Sequence, residues 1–392
     1  MTLLSLSAWK RHGVTPSKCA AKSPTGIIPA VDDLKLLQSL CAVPTAPFAE
    51  SAVVKFVIGR VRKRSGLTLR TDRAGNLLIE RAGTKNLPRT VMVAHLDHPG
   101  FVARQMINSR TLKASFYGYV RPEYFPGAKV RFFDDQGATT ATVESFTTAD
   151  NGRADTAVLR VRRTIAPGSV GMWDLGEPRV AGKKFHGRVC DDLAGAAAGL
   201  AVMEGLSRKR LKAPIALLLT RAEESGFIGA IASVKNKQLL KKTDRIISIE
   251  CSAEQPYAKQ ADGMILRTGD RTSIFNSAFT RFLGTRAEAL AKADKAFKFQ
   301  RALMPGGTCE ATVFDAFGYT AAAVCIPLGN YHNMNADTKK LAAEYVDLRD
   351  WQSLVTLLTD VCTNGHAFSG NHAELQQRLN DLHDKFAGLL RS

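Results

Sequence analysis

The stretch "VMVAHLDHPG" (91–100) runs four apolar residues into His95, Asp97 and His98 and then into a Pro-Gly turn. Imidazole and carboxylate groups at the end of a buried strand can ligate a metal or move a proton; the same residues also make an ordinary strand end. Four further stretches carry similar punctuation. "RVCDDLAG" places Asp191 and Asp192 where a strand or loop meets a helix, "LLLTRAEESG" ends a strand on Glu223 and Glu224, "IISIECS" ends another on Glu250, and "PLGNYHNM" sets His332 just beyond a strand. Each has a plainer reading, as a helix N-cap, a solvated strand end or a loop histidine. Glu250 fits that reading least, because a charge directly after the apolar run "IISI" needs a partner.

In an α/β sheet, ligands bind beyond the carboxyl ends of the strands, so segments distant in sequence can deliver side chains to one place. Grouped carboxylates raise one another's pKa, and such a cluster holds together only around cations. Histidine and carboxylate donors without cysteine suit zinc, cobalt or manganese. Two divalent ions roughly 3.5–4 Å apart, sharing one carboxylate, are a recurrent hydrolytic arrangement.

The elements that must position these groups alternate. "APFAESAVVKFVIGRVRKRSG" has helical spacing, "LTLRTDRAGNLLIER" reads as two short strands around an Ala-Gly-Asn turn, and the strand at 90–97 follows. From Phe101 to about Lys184, short apolar runs such as "AKVRFFDD" and "TAVLRVRRT" are separated by Gly, Pro, Asp and Asn without helical periodicity, which predicts a small β domain. After it come a small-residue helix at 191–210, a buried strand "PIALLLT", a helix, the strand "DRIISIECS", a helix-rich stretch at 276–297, the loop "MPGGTCEA", the strand "YTAAAVCIP" and a helix around 343–362. The expected fold is an α/β domain with a mostly parallel central sheet flanked by helices, carrying an inserted small β-barrel-like domain. The expected order is a disordered N-terminal segment at 1–28, catalytic domain at 29–102, insert at 103–183, catalytic domain again at 184–365, and an exposed amphipathic helix at 366–392.

Composition narrows the class. A hydrophobic fraction of 45% with 23% charged residues is that of a soluble globular protein, and no run approaches the roughly 18 consecutive apolar residues of a membrane span. Seven scattered cysteines without a C-x-x-C pair argue for a reducing compartment, and the expected location is cytoplasmic. The first 26 residues contain no acid, and their short apolar part precedes the basic residues, the reverse of a secretory signal. They read as a disordered leader or a misassigned start, with an organelle transit peptide as the other reading. Lys and Arg total 54 against 36 Asp and Glu, but the basic clusters "VRKRSG", "SRKRLK" and "KNKQLLKKTDR" sit at helix ends and lack interleaved aromatics. A nucleic-acid partner is not expected.

The motifs in this order resemble the co-catalytic metallo-aminopeptidases of the tetrahedral-aminopeptidase and glutamyl-aminopeptidase type, with more distant kinship to aminoacylases and tripeptidases. The resemblance runs from "VPTAPFAE" through "AGNLLIE", "VAHLDHPGFVA", "GRVCDDLAG", "TRAEESGFIGA" and "IECS" to "PGGTCEA" and "IPLGNYHN", spanning most of residues 30–362. It implies two divalent metal ions, zinc or else cobalt or manganese, with Asp191 bridging, His95 and Glu250 completing the first site, and Glu224 and His332 the second. Glu223 would be the general base on a metal-bridged hydroxide, and Asp97 the carboxylate that orients His95. It further implies a fold of the phosphorylase/hydrolase-like zinc peptidase type, a cis peptide after Asp191, a peptide substrate, and a homo-oligomer assembled through the inserted β domain. Glu250 stands where the family has aspartate, and "DDL", "GGTCEA" and "GNYH" depart from its "DDR", "GGTDA" and arginine-tyrosine-histidine patterns.

The function so implied is a binuclear-metal aminopeptidase. A metal-dependent amidohydrolase or deacylase of N-acyl amino acids or small peptides would use the same chemistry, and a non-catalytic scaffold or polyanion-binding protein could keep the same fold. A glycosidase is disfavoured, since the neighbouring Glu223 and Glu224 are poorly placed to flank a sugar ring at the roughly 5–9 Å separation that reaction needs.

Overall fold

The computed structural model describes residues 31–370 and 372–390, so the expected leader at 1–28 and Cys19 lie outside the described residues. Four strands, Thr90–His95, Ile215–Thr220, Arg245–Ala253 and Thr320–Gly329, are apolar and buried over almost their whole length. That pattern requires cover on both sheet faces. They pair in parallel, Ile215–Thr220 beside Thr90–His95, then Arg245–Ala253, then Thr320–Gly329. Alternation within one strand shows the two faces: Met92 and Ala94 join one core cluster, Val91 and Val93 another.

Antiparallel strands extend this centre into an eleven-stranded mixed sheet. Leu77–Arg81 and Thr68–Thr71 add to one edge; Glu344–Asp347, Lys184–Gly187 and Arg179–Ala181 add to the other. Met264–Asp270 lies antiparallel along Thr320–Gly329 and carries Phe299–Met304 parallel to itself. The expected α/β class therefore holds, and the four parallel strands at the centre of the sheet include those that end at the candidate site.

The small-residue helix Leu193–Leu206 is buried almost all round and lies against the sheet. Its alanines and glycines let it approach closely: a methyl group on Gly199 would sit 2.7 Å from Leu217 Cδ1. Trp351, on the helix Leu348–Asn364, closes over it and donates its indole N–H to Ala194 O at 2.8 Å. On the opposite sheet face lie Ile228–Asn236 and Glu310–Ala316.

Six strands between Gly100 and Trp173 close into a separate barrel. Phe101, Phe116, Phe125 and Trp173 pack edge to face inside it. Against the expected span of 103–183, the barrel begins as soon as the chain leaves the His95 strand, and the hairpin of Arg179–Ala181 and Lys184–Gly187 pairs into the main sheet. The helix Ala373–Phe386 leaves Leu379, Leu382 and Phe386 exposed. None of the described helices is long and apolar enough to cross a membrane.

Candidate active site

The parallel centre brings its polar punctuation to one edge. His95 is the last residue of its strand, Glu250 lies in Arg245–Ala253, and Glu223 and Glu224 occupy a single 3₁₀ turn just beyond Ile215–Thr220. Asp191 precedes the helix Leu193–Leu206, whose N-terminus favours negative charge, and His332 follows Thr320–Gly329. The peptide between Asp191 and Asp192 is cis, as the family pattern implies.

Donor atoms converge in three sets, each within 4.8 Å: His95, Asp191 and Glu250; Asp191, Glu224 and His332; and His95, Glu223 and Glu224. The first two sets share Asp191. His95 Nε2 lies 3.4 Å from Asp191 Oδ1 and 3.9 Å from Glu250 Oε2; His332 Nε2 lies 3.1 Å from Glu224 Oε1 and 3.7 Å from Asp191 Oδ2. The other ring nitrogens are engaged. His95 Nδ1 bonds Asp97 O at 3.1 Å and His332 Nδ1 bonds Tyr119 O at 2.6 Å, which makes each Nδ1 a donor and turns each Nε2 towards the cluster.

Buried carboxylates away from the ligands hold the loops. Asp97 accepts the backbone N–H groups of Glu223 and Glu224 at 2.9 and 3.0 Å and faces His95 Nδ1 at 3.6 Å. Glu50 accepts from Ala222 N and from the Arg221 guanidinium, fixing the turn where Ala222 takes a left-handed φ of 51°. Glu344 spans two segments: one oxygen accepts from Cys190 N and Asp191 N at 2.7 and 3.0 Å, the other from His332 N at 2.9 Å. His98 bonds Asp191 O at 2.7 Å and the Asn333 side chain at 3.1 Å. His98 was visible in the opening motif, where it reads as turn chemistry. Glu344, in the plain strand "AEYVD", carries no sequence signal.

The electrostatics are those of acids crowded without enough donors. Burial, reinforced by neighbouring carboxylates, pushes Glu223 and Asp192 well above the usual range and Glu250 up to about 8. Burial alone would lower His95 and His332, but the carboxylates around them, Glu223 foremost for His95 and Glu224 for His332, hold both well above the usual imidazole value. Asp191 Oδ1, Glu250 Oε1 and both oxygens of Asp192 are buried with no hydrogen-bond partner. Unpaired buried carboxylate oxygens are costly, and positive charge placed among them removes that cost. The residues present therefore fit divalent cations. Over the cluster opens a cavity of about 680 Å³.

The M42 glutamyl aminopeptidase family profile matches residues 75–354. No curated protein matches the chain. Among solved structures, an aminopeptidase from Desulfurococcus kamchatkensis superposes with a TM-score of 0.70 at 19% identity, covering 85% of this chain and 95% of that one. The TET1 peptidase of Pyrococcus horikoshii, described as assembling into a tetrahedron or a large octahedral shell, gives 0.68 at 17% identity, covering 84% and 99%. A Thermotoga maritima protein named as an endoglucanase gives 0.63 at 17%, covering 84% and 97%. At these identities the likeness carries the fold.

Proposed function

Because the chain belongs to the M42 glutamyl aminopeptidase family, we propose that it is a peptidase removing N-terminal residues from peptides with the help of two divalent cations, one in each triad that meets at Asp191. The observation that carries this reading is the shared Asp191: two donor sets of imidazole and carboxylate, without thiolate, that differ in every member but one. That donor chemistry suits zinc, cobalt or manganese. Two divalent charges also balance four carboxylates, Asp191, Glu223, Glu224 and Glu250.

Cations bound there would polarise the scissile carbonyl and acidify the attacking water. Glu223, raised by burial and adjoining both His95 and Glu224, accepts the proton from the attacking water on a carboxylate oxygen and returns it to the nitrogen of the leaving amine. Asp97 acts through backbone, keeping the Glu223–Glu224 turn against His95.

The test is the loading of metal-stripped protein with zinc or cobalt. Two equivalents should bind, and hydrolysis of aminoacyl-anilides should appear with them. Loading should also release protons, because in the cation-free protein at pH 7 Glu250, with its pKa near 8, and the raised imidazoles are mostly protonated, and each must give up its proton to ligate. Affinity should therefore fall as pH drops, and the Glu250 share of the proton release should shrink above pH 8. Calorimetry in buffers of different ionisation enthalpy reads this directly, and loading without proton release would remove these groups from the ligand set.

The barrel is the candidate surface for self-association, as relatives of this fold assemble into tetrahedra and larger shells. Ile107 stands exposed on it. Sedimentation velocity should show an oligomer that an Ile107→Asp substitution weakens; a monomer in the wild-type chain would end this part of the proposal.

A further inference from the structure

The sheet has a second end, opposite the cluster. Four stretches, 60–73, 80–89, 204–212 and 235–245, gather there around the starts of three parallel strands at Thr90, Ile215 and Arg245. They hold 18 of the chain's 54 lysines and arginines against four of its 36 acids. Taken singly, "VRKRSG", "SRKRLK" and "KNKQLLKKTDR" are cations at the C-termini of the helices Ser51–Val61, Leu193–Leu206 and Ile228–Asn236. The fold makes them one face.

Hydrogen bonds join the stretches. Arg208 Nε donates to Ser65 Oγ at 3.3 Å and Arg81 Nη2 to Lys209 O at 2.8 Å, while the backbone N–H groups of Thr84 and Lys85 reach Leu211 O and Lys212 O. On the other flank Arg70 Nη1 donates to Gln238 O at 3.3 Å and Arg89 Nη2 to Leu239 O at 2.9 Å. The four acids are already engaged: Asp72 accepts from Ala74 N and Asn76 N, Glu80 pairs with Arg70 and Arg89, Glu204 with Arg60 and Arg64, and Asp244 with Arg89. Arg62, Lys63, Arg208, Lys209, Arg210 and Lys212 are exposed, and none of them forms an ion pair among the described residues.

The helix ends do not account for this charge. Each C-terminus carries roughly half a negative charge, about one and a half for the three helices, far short of the surplus. Like charge also keeps a second copy of the chain off the face. No exposed large apolar or aromatic side chain lies in the four stretches. A protein partner needs such an anchor, stable attachment to a bilayer takes an apolar signal besides a basic one, and single-stranded nucleic acid needs rings to stack on. The phosphate backbone of a duplex needs none of these, because lysines and arginines that displace its counterions supply nearly all of non-specific binding.

We propose that this face binds the backbone of double-stranded nucleic acid without reading its sequence, with the cavity at the other end of the sheet left open. The proposal stands apart from the peptidase reading. The sequence expectation of no such partner came from runs seen one at a time; the absence of aromatics bears on single strands alone.

The test is binding of the full chain to a short mixed-sequence DNA duplex across a salt series. With about six phosphates neutralised, affinity should fall roughly a thousandfold between about 50 and 200 mM salt. The double variant Lys63→Glu with Lys212→Glu should flatten the slope of log affinity against log salt by about two and weaken binding to every duplex sequence alike. Lys113→Glu with Lys292→Glu, both exposed and away from the face, changes the net charge equally and should leave the slope as it was. Thermal unfolding at the wild-type temperature shows that each variant is folded. No duplex binding at low salt would overturn the proposal, as would equal losses in the two double variants, which would reduce the effect to net charge. So would single-stranded DNA, polyglutamate or vesicles of equal parts phosphatidylserine and phosphatidylcholine binding as tightly as the duplex.

Discussion

Glu223→Gln is expected to lower kcat about a thousandfold, within the range for loss of a general base, with KM little changed and two equivalents of metal still bound. The separation of chemistry from binding follows from geometry. What holds Glu223 in place is its backbone N–H on Asp97 Oδ1, a bond that glutamine keeps. What glutamine lacks is the capacity to accept a proton from water and return it to an amine. Only the third donor set contains Glu223, so the two sets that meet at Asp191 stay intact. Steady-state kinetics with metal analysis on the same sample decide the matter: a Glu223→Gln enzyme of full activity would remove Glu223 from the role of base.

Asp191→Asn should be as severe by a different route, emptying both sites at once. Its two oxygens face different imidazoles, Oδ1 towards His95 and Oδ2 towards His332, so one substitution weakens two ligand sets. Taking roughly 3 kcal/mol per ligand as the scale, affinity falls more than a hundredfold at each site. Asp191 N still reaches Glu344 and Asp191 O still reaches His98, so the loop keeps its place. Glu224→Ala, by contrast, touches the second set and should leave about one equivalent. Metal content after gel filtration distinguishes the pattern; two equivalents retained in Asp191→Asn would break the idea of a shared ligand.

Much of this arrangement was legible before any coordinates. The apolar runs ending in "AHLDH", "TRAEES" and "SIECS" announced buried strands with polar ends, and the parallel pairing of those strands puts their carboxyl ends on one edge. Distances of over a hundred residues along the chain between His95 and Glu250 were no obstacle, because sheet order places their strands side by side. Local patterning could also locate the β-rich insert, though its closure into a barrel depends on contacts between strands far apart, as between Gly100–Asn108 and Val170–Trp173.

Residue types, their spacing and the order of apolar runs determined the α/β architecture and nominated the acids and imidazoles, since these are properties of single segments. Only the tertiary structure decided which nitrogen each histidine presents, that Glu344 ties Asp191 to His332, and that four basic stretches share one face whose acids are already engaged. Those facts depend on hydrogen bonds and burial between segments that share no local pattern, and a charge reveals that it lacks a partner only once every neighbour has been put in place.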